Sequence, residues 1–330
     1  MLVPTNYLNN IVGLAEEYGA SRAVILKDAG VSQESMDDPE ARVDAEAFAR
    51  VIVGALEKSG QPDLGIRLGS QLKVTTHGIL GYAAMTSATL ADALSLVTKY
   101  VQTRTPMLVG NISVKRGTVA IRIEEAAVLG DIRRPVLEIA ASAVNAVALF
   151  LTNGEFKCDS VRFPYEEPEY AAEYRGVFGC PLVFGAEATE IRFSAALLNT
   201  PLLLADEAAQ RQAALQCEEE LQAIEMSDDL VQRIRAQLLK SSDSLLDLDQ
   251  VSVELGLSPR TLRRRLQSSG TSFQHVLNSA REDLAAQLLR TTHMTISEIA
   301  DRLGYTNQSN FSRAFKGWTG LSPRQFRELP

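Results

Sequence analysis

The stretch Ile296–Trp318, ISEIADRLGYTNQSNFSRAFKGW, decides the reading of this chain. Ile296, Ile299, Ala300 and Leu303 recur at helical spacing, so Ser297–Leu303 is expected to form a short helix with one apolar face. Gly304 then permits the left-handed backbone of a tight turn, against which Tyr305 can pack. Thr306 or Asn307 is placed to cap a second helix reaching to about Gly317. That helix should bury Phe311, Ala314 and Phe315 and turn Gln308, Ser309, Asn310, Ser312, Arg313 and Lys316 outward. Small polar groups at a helix start, followed by Arg and Lys, suit a helix that enters the DNA major groove N-terminus first.

A first copy of the pattern lies upstream at Leu248–Gly270, LDQVSVELGLSPRTLRRRLQSSG. Val251, Leu255 and Leu257 are expected to build its first helix, with Gly256 in the turn. Ser258 reads as an N-cap and Pro259 as N1, where a missing N–H costs nothing. In the second helix Leu262 and Leu266 face inward, leaving Arg260, Arg263, Arg264 and Arg265 outward for phosphates and guanines. Phe273–Arg290 is a third amphipathic stretch, with Phe273, Val276, Leu277, Leu284, Leu288 and Leu289 on its buried side, and reads as a strut between the two copies. The alternative for each charged face is a solvated helix surface without a ligand, and Arg265 and Lys316 fit that alternative best.

From about residue 227 to the end, the chain resembles the DNA-binding domain of the AraC family of bacterial transcription regulators. SPRTLRRRL, TSFQHVLNSAREDLAAQLL, EIADRLGY, SNFSRAFKGWTG and LSPRQFR carry the likeness. It implies two recognition helices on one face, entering successive major-groove segments about 34 Å apart. The matching positions, Arg260, Arg263 and Arg264 in one helix and Gln308, Ser309, Asn310 and Arg313 in the other, are the implied DNA contacts. The sequence departs from the family pattern at Ser252, where Ala is usual, and at Asp301, where a less acidic residue is common.

Charge is distributed to match. The chain has 33 Lys+Arg and 41 Asp+Glu, of which 11 and 6 lie in 251–330. That segment is therefore +5, and the remaining 22 basic and 35 acidic residues leave 1–250 at −13. A basic module is joined to an acidic partner, and at 330 residues and 45% hydrophobic content both can hold cores. No run reaches the roughly 18 apolar residues of a membrane span; the best, Ala140–Leu151, is broken by Ser142 and Asn145. With no basic and apolar leader at the start, the expected location is cytoplasmic. Cys158, Cys180 and Cys217 are odd in number and widely spaced, which suits reduced thiols, not a disulfide framework or a zinc site. No metal or cofactor is expected.

The first two hundred residues read as mixed α and β. Helices are expected at Leu8–Tyr18, Ala23–Ala29, Ala45–Lys58 (capped by Asp44), Ile79–Ala84, Leu90–Val101, Asp131–Leu151 and Pro168–Phe178. Strands are expected at Met107–Lys115 and Thr118–Glu124, joined by a hairpin at Arg116–Gly117, and at Cys158–Phe163 and Glu190–Phe193. LGIRLG and HGILGYAAMTSATLADAL resemble the arabinose-binding-like sensor domain of one branch of the AraC family, over roughly 20–200. The fold class is thus an α+β sensor domain followed by an all-α domain with two helix-turn-helix units, at about 248–268 and 296–317. The division is placed at 1–226 and 227–330. A long helix is expected over Pro201–Met226, with Ser227–Asp228–Asp229 capping a new one. It either pairs with its twin in a homodimer or serves as a packed or solvated connecting helix.

The resemblance implies a transcription regulator, with activation the commoner role, that works with double-stranded DNA, RNA polymerase and a small-molecule effector. Arg67, Lys73, His77 and Arg104 lie near the Gly-rich middle segment and could meet an effector carboxylate, or be surface charges or, for His77, a helix-cap residue. His275 and His293 read as solvated or structural. Two other classes stay open. A DNA-tethered enzyme with a cysteine nucleophile would need an activating base or zinc near a thiol, and Cys158 and Cys180 have no His nearby in sequence. An architectural DNA-binding protein without an effector would leave some two hundred residues unexplained.

Overall fold

A computed structural model of the chain describes residues 1–38, 41–240, 246–268, 271–292 and 294–327. They fall into two compact units, Met1–Leu221 and Gln222–Pro330. His293 and the Ser269–Gly270 end of the first repeated pattern lie outside the described residues.

The first unit opens with strand β1 (Leu2–Pro4), antiparallel to β2 (Arg42–Asp44). Helices α1 (Thr5–Glu17), α2 (Arg22–Ala29) and α3 (Gln33–Asp37) lie between them, and α4 (Ala45–Ser59) follows. Asp44 caps α4 as expected, accepting from the Ala47 N–H at 2.8 Å. β1, β2 and α3 are too short to show periodicity in the sequence. Leu8, Ile11, Ile25, Val51 and Ile52, all at most 1% exposed, form a core with residues of the helices that follow.

Next come α5 (Leu64–Gln71), α6 (Gly78–Met85), α7 (Leu90–Tyr100), β3 (Leu108–Lys115), β4 (Thr118–Glu125) and α8 (Arg133–Leu151). After them lie β5 (Cys158–Arg162), α9 (Ala171–Phe178), β6 (Leu182–Val183) and β7 (Thr189–Ser194). The sheet runs β3-β4-β7-β5-β6, antiparallel except for β5 beside β6. The β3–β4 hairpin turns at Arg116 (φ 50°) and Gly117 (φ 80°), as the sequence suggested. Two successive left-handed residues give a turn whose twist matches that of its strands. Alternate residues Val119, Ile121, Thr189, Ile191 and Phe193 turn to the buried face, where α8 covers them.

Helix α8 organises this unit. It is long and apolar enough to cross a membrane by length and composition, which reading Ser142 and Asn145 as interruptions did not anticipate. Within the fold it is a core helix, and Ser142 and Asn145 are hydrogen-bonded there. Ser142 donates to the Glu138 carbonyl at 2.5 Å, and Asn145 Nδ2 donates to the Val177 carbonyl at 3.0 Å. Helix α5 crosses it closely through two glycines four residues apart. A Cβ at Gly65 would stand 2.9 Å from Pro135 Cα; one at Gly69 would stand 2.9 Å from Ile139 Cα and overlap the Ser142 hydroxyl. These are the glycines of the LGIRLG motif, and only their lack of a side chain permits the crossing.

Helix α10 runs without interruption from Glu207 to Lys240. The sequence placed a helix over Pro201–Met226 and a new start at Ser227–Asp229. Instead, Leu202 donates its N–H to the Ala88 carbonyl, and Asp206 caps α10 by accepting from Ala208 and Ala209. No Gly or Pro occurs in 207–240 to end the helix, and Leu230, Ile234 and Leu238 continue its apolar periodicity. The backbone is helical through Ser227–Asp229; their side chains are not among those described.

The second unit contains the latter part of α10, then α11 (Leu248–Glu254), α12 (Pro259–Ser268), α13 (Phe273–Thr291), α14 (Ile296–Arg302), α15 (Gln308–Thr319) and α16 (Pro323–Arg327). It has two small cores. Leu230, Ile234, Val251, Leu262 and Leu266 gather around Val276, Leu277 and Ala280 of α13. Ile299, Leu303, Phe311 and Phe315 gather around Ala285, Leu288 and Leu289 further along the same helix. The expected strut is therefore present, although Phe273 and Leu284 are only partly buried.

The glycine crossing makes a paired prediction for urea unfolding. Gly69→Ala is expected to cost about 1–3 kcal/mol by overpacking. Gly176→Ala, on α9 with open space around its Cβ position, should be neutral or stabilise by up to about 1 kcal/mol. Equal effects would show that the α5–α8 contact does not constrain the fold.

Candidate functional site

Each repeated pattern of the second unit forms a helix, a glycine turn and a second helix. In the first, Asp247 and Gln250 form a capping box on α11 and Gly256 turns the chain with φ 66°. Leu255 caps the end of α11 and Leu257 lies beyond the turn, so Leu257 packs on the core from the loop, not from the helix where the sequence placed it. Ser258 caps α12 by accepting from Thr261 N–H at 3.1 Å. Buried Ser252, the departure from the family pattern, gives its hydroxyl to the Leu248 carbonyl at 2.7 Å, so it is satisfied where Ala would be apolar. In the second pattern Thr295 and Glu298 box α14, Gly304 turns with φ 75°, and Asn307 caps α15 by accepting from Asn310 N–H at 2.8 Å.

The outward faces carry the chemistry. Leu262 and Leu266 are fully buried, while Arg260, Arg263, Arg264 and Arg265 are all exposed. Arg260 and Arg264, at i and i+4, share the stripe opposite the leucines, with Arg263 and Arg265 flanking it on either side. On α15, Phe311 and Phe315 are buried and Gln308, Ser309, Arg313 and Lys316 are exposed. Ser309, Arg313 and Lys316 form one outer stripe, which brings in a lysine that sequence reading had set apart. Ala314 is only partly buried. Asn310 is half-buried, and its Oδ1 accepts from Arg313 Nη2 at 2.8 Å, which orients the guanidinium. The turn behind α15 is held by Arg281, which donates Nε to the Leu303 carbonyl at 2.9 Å and stacks 4.8 Å over the Tyr305 ring.

The first unit contains an apolar cavity of about 180 Å³. Phe48, Ile52, Leu94, Ile121, Ile123 and Val144 are among its walls, contributed by helices α4, α7 and α8 and strand β4. Its polar features are Tyr7, His77, Arg104 and the threonines Thr98 and Thr105. Tyr7 Oη and His77 Nδ1 are hydrogen-bonded at 2.8 Å. Burial raises the Tyr7 phenol, and burial with the Arg104 cation pulls His77 down to about 4, so both are neutral at pH 7. Arg104 has a side chain only 12% exposed, and its Nη2 donates to both carboxylate oxygens of Glu220 on α10, at 2.8 and 2.6 Å. Its Nε is buried without a hydrogen-bond partner. Gly78 makes room for this guanidinium: a Cβ there would stand 3.3 Å from Nη1.

Of the four side chains picked from the sequence for an effector, the fold brings two to the cavity, His77 and Arg104. Arg67 is held by Asp63 at 2.6 Å and Glu173 at 3.1 Å, and Lys73 is exposed; neither lines the cavity. Asp63, four residues before Arg67, was a signal for that pairing. Tyr7 and Glu220 were not singled out, and no local pattern marks either. Glu138 was missed as well. This fully buried carboxyl on α8 accepts from Tyr170 at 2.7 Å and from Tyr174, and burial pushes it up to about 7 against those hydrogen bonds and the Arg134 charge. Among the described residues no group of three or more His, Cys, Asp and Glu side chains could hold a metal ion.

Comparison with known proteins matches residues 19–202 to the model for the arabinose-binding domain of AraC transcription regulators, N-terminal, and residues 251–329 to a helix-turn-helix domain model. The first match alone spans more than half of the chain. The chain belongs to the AraC family of transcription regulators. Across its whole length it is 35% identical to the Ornithine utilization regulator of Pseudomonas aeruginosa, 97% of which it covers. It is 26% identical to the HTH-type transcriptional regulator VqsM of the same organism, over 80% of this chain and 83% of that one. A similar solved structure is the transcriptional regulator CdpR of Pseudomonas aeruginosa, at TM-score 0.46 and 25% identity over 96% of this chain and 97% of that one. As a member of this family, the chain is a DNA-binding transcription regulator with an effector-type amino-terminal domain.

Glu138 and His77 titrate with opposite sign. The folded chain holds the Glu138 proton more tightly than an ordinary glutamate at 4.5, so its contribution to stability is full below 4.5 and is lost as pH rises through 7. His77 holds its proton less tightly than usual, so its contribution is full above 6.5 and is lost as pH falls toward 4. Glu138→Gln removes only the first slope. The unfolding free energy of this variant minus that of the parent should rise between pH 4.5 and 7, by on the order of 3 kcal/mol. Urea midpoints at a series of pH values measure it, and a pH-independent difference would show that Glu138 keeps an ordinary affinity for its proton.

Proposed function

We propose that this regulator reads DNA through Arg260, Arg263 and Arg264 of α12 and Gln308, Ser309, Asn310 and Arg313 of α15, under the control of a small molecule held in the cavity of the first unit beside His77 and Arg104. One observation carries the reading. Two cationic helix faces stand on two separate small cores threaded on α13, each with its apolar side committed inward and its cationic side chains outward. Guanidinium groups in that setting can pair bidentately with guanine or phosphate. The division of labour follows 1–226 for effector sensing and 227–330 for DNA.

Activation through RNA polymerase is the sign we assign. The Transcriptional activator NphR of Rhodococcus, 31% identical over 98 residues, supports it by name. The site of action is the cytoplasm, with the DNA. A homodimer formed through α10 would have to use the face that carries exposed Leu215, because Ala213 and Cys217 are buried within the first unit. Regulation, not catalysis, is also the reading that the thiols favour. Burial pushes Cys158 up to about 12 and Cys217 up to about 11, which leaves little thiolate for nucleophilic chemistry at neutral pH. The name of the ornithine-utilization relative suggests ornithine as an effector. Among the described residues no acidic side chain lines the cavity, however, so a diamino acid would find no counter-charge for its ammonium groups.

Fluorescence anisotropy on a duplex selected from random sequence tests the DNA contacts. Arg264→Ala and Arg313→Ala should each cost about 1–3 kcal/mol of specific binding, with Arg265→Ala near the parent. Unchanged affinity and sequence preference in the first two would place α12 and α15 outside the interface.

A further inference from the structure

The effector reading above leaves open what the cavity accepts and how its occupancy reaches the rest of the chain. Resting on that reading, we propose that the ligand is a small molecule with an apolar body and one carboxylate, and that this carboxylate competes with Glu220 for Arg104, so that binding loosens the hold of the first unit on α10.

Size and lining define the body. A space of about 180 Å³ is slightly larger than the engineered apolar cavity of about 150 Å³ that takes up benzene. The body is therefore on the scale of one aromatic ring or a short alkyl chain. The walls are almost wholly apolar, and within the lining Arg104 is the cation, with Tyr7 and His77 neutral beside it.

Arg104 defines the head group. A buried donor without a partner is costly, and Arg104 Nε is one. Glu220 uses a single nitrogen, Nη2, for both of its oxygens. A carboxylate meets a guanidinium best through two parallel N–H donors, so an incoming ligand that engages Nε would satisfy the orphan and gain a better geometry than Glu220 has. Two carboxylates on one guanidinium repel each other, and the one already held weakens. Arg42, with Nη2 3.9 Å from Glu220 Oε2, is placed to take over part of that charge.

The consequence falls on α10. Its apolar contact with the first unit is made by Ala213 and Cys217, packed with Leu80, Ala83 and Tyr100, and by partly buried Leu221. The rest of the attachment is polar: Glu220 on Arg104, and Glu218 accepting from Lys99 Nζ and Tyr100 Oη, each at 2.8 Å. Removing the most buried of these ion pairs shifts the balance between a held and a released helix. By linkage the effect is reciprocal: whatever releases Glu220 must tighten the ligand by the same factor.

The test uses the full-length chain with phenylacetate as probe and 2-phenylethanol as its uncharged counterpart, read by titration calorimetry and by amide exchange in 207–224. Phenylacetate should bind and speed exchange in that segment, whereas 2-phenylethanol should bind without doing so. Glu220→Gln should tighten phenylacetate by about 5- to 150-fold, the usual range of such couplings, and leave 2-phenylethanol unchanged. Glu220→Asp, which keeps the charge and shortens its reach, should fall between parent and Glu220→Gln, and Arg104→Gln should erase the preference for the acid. Phenylacetate binding that is unchanged in Glu220→Gln, or that leaves exchange unaltered, overturns the competition while the cavity remains an effector site. Binding of 2-phenylethanol but not phenylacetate overturns the carboxylate class. Binding of neither overturns this inference together with the effector reading on which it rests.

Discussion

The continuity of α10 is the constraint on which the rest of this chain depends. From Glu207 to Lys240 there is no glycine or proline to interrupt the helix. Its early residues, Ala213 and Cys217, belong to the core of the first unit; its later ones, Leu230, Ile234 and Leu238, belong to the second. One secondary element thus contributes to both cores.

The two units are stabilised in different ways. The first relies on close approach. Gly65 and Gly69 bring α5 onto α8, and α8 covers the buried face of the sheet while keeping Glu138, Ser142 and Asn145 hydrogen-bonded inside. The second relies on economy. Two cores of a few leucines and phenylalanines each are strung along α13, with caps at Asp247, Ser258, Ser272, Thr295 and Asn307 fixing where each helix starts. Short helices gain little from length, so these caps and the left-handed glycines at 256 and 304 specify the turns.

That difference explains what could be read in advance. The helix-turn-helix units were legible because their determinants are local: an apolar repeat, a glycine, a cap three residues before the N–H that donates to it. The hairpin at Arg116–Gly117 and the cap at Asp44 were legible for the same reason. The missed features depend on partners far away in sequence. β1 and β2 are three residues long and pair across about forty positions, and Glu220 reaches Arg104 across 116. At Ser227–Asp229 a local cap signal was present, and the continuing periodicity of Leu230, Ile234 and Leu238 overrode it. Among the basic residues near the Gly-rich segment, sequence supplied the charge but not the neighbour. Arg67 proved to be neutralised by Asp63 and Glu173, whereas Arg104 and His77 faced a cavity.

The central claim, that this chain is a sequence-reading regulator with two separate recognition helices, is tested most directly by chromatin capture of the tagged protein from its own cells. The account predicts discrete peaks upstream of a limited set of genes, sharing a motif of two short elements about one helical turn apart. Uniform coverage of the genome, or peaks that share one short element alone, would contradict it.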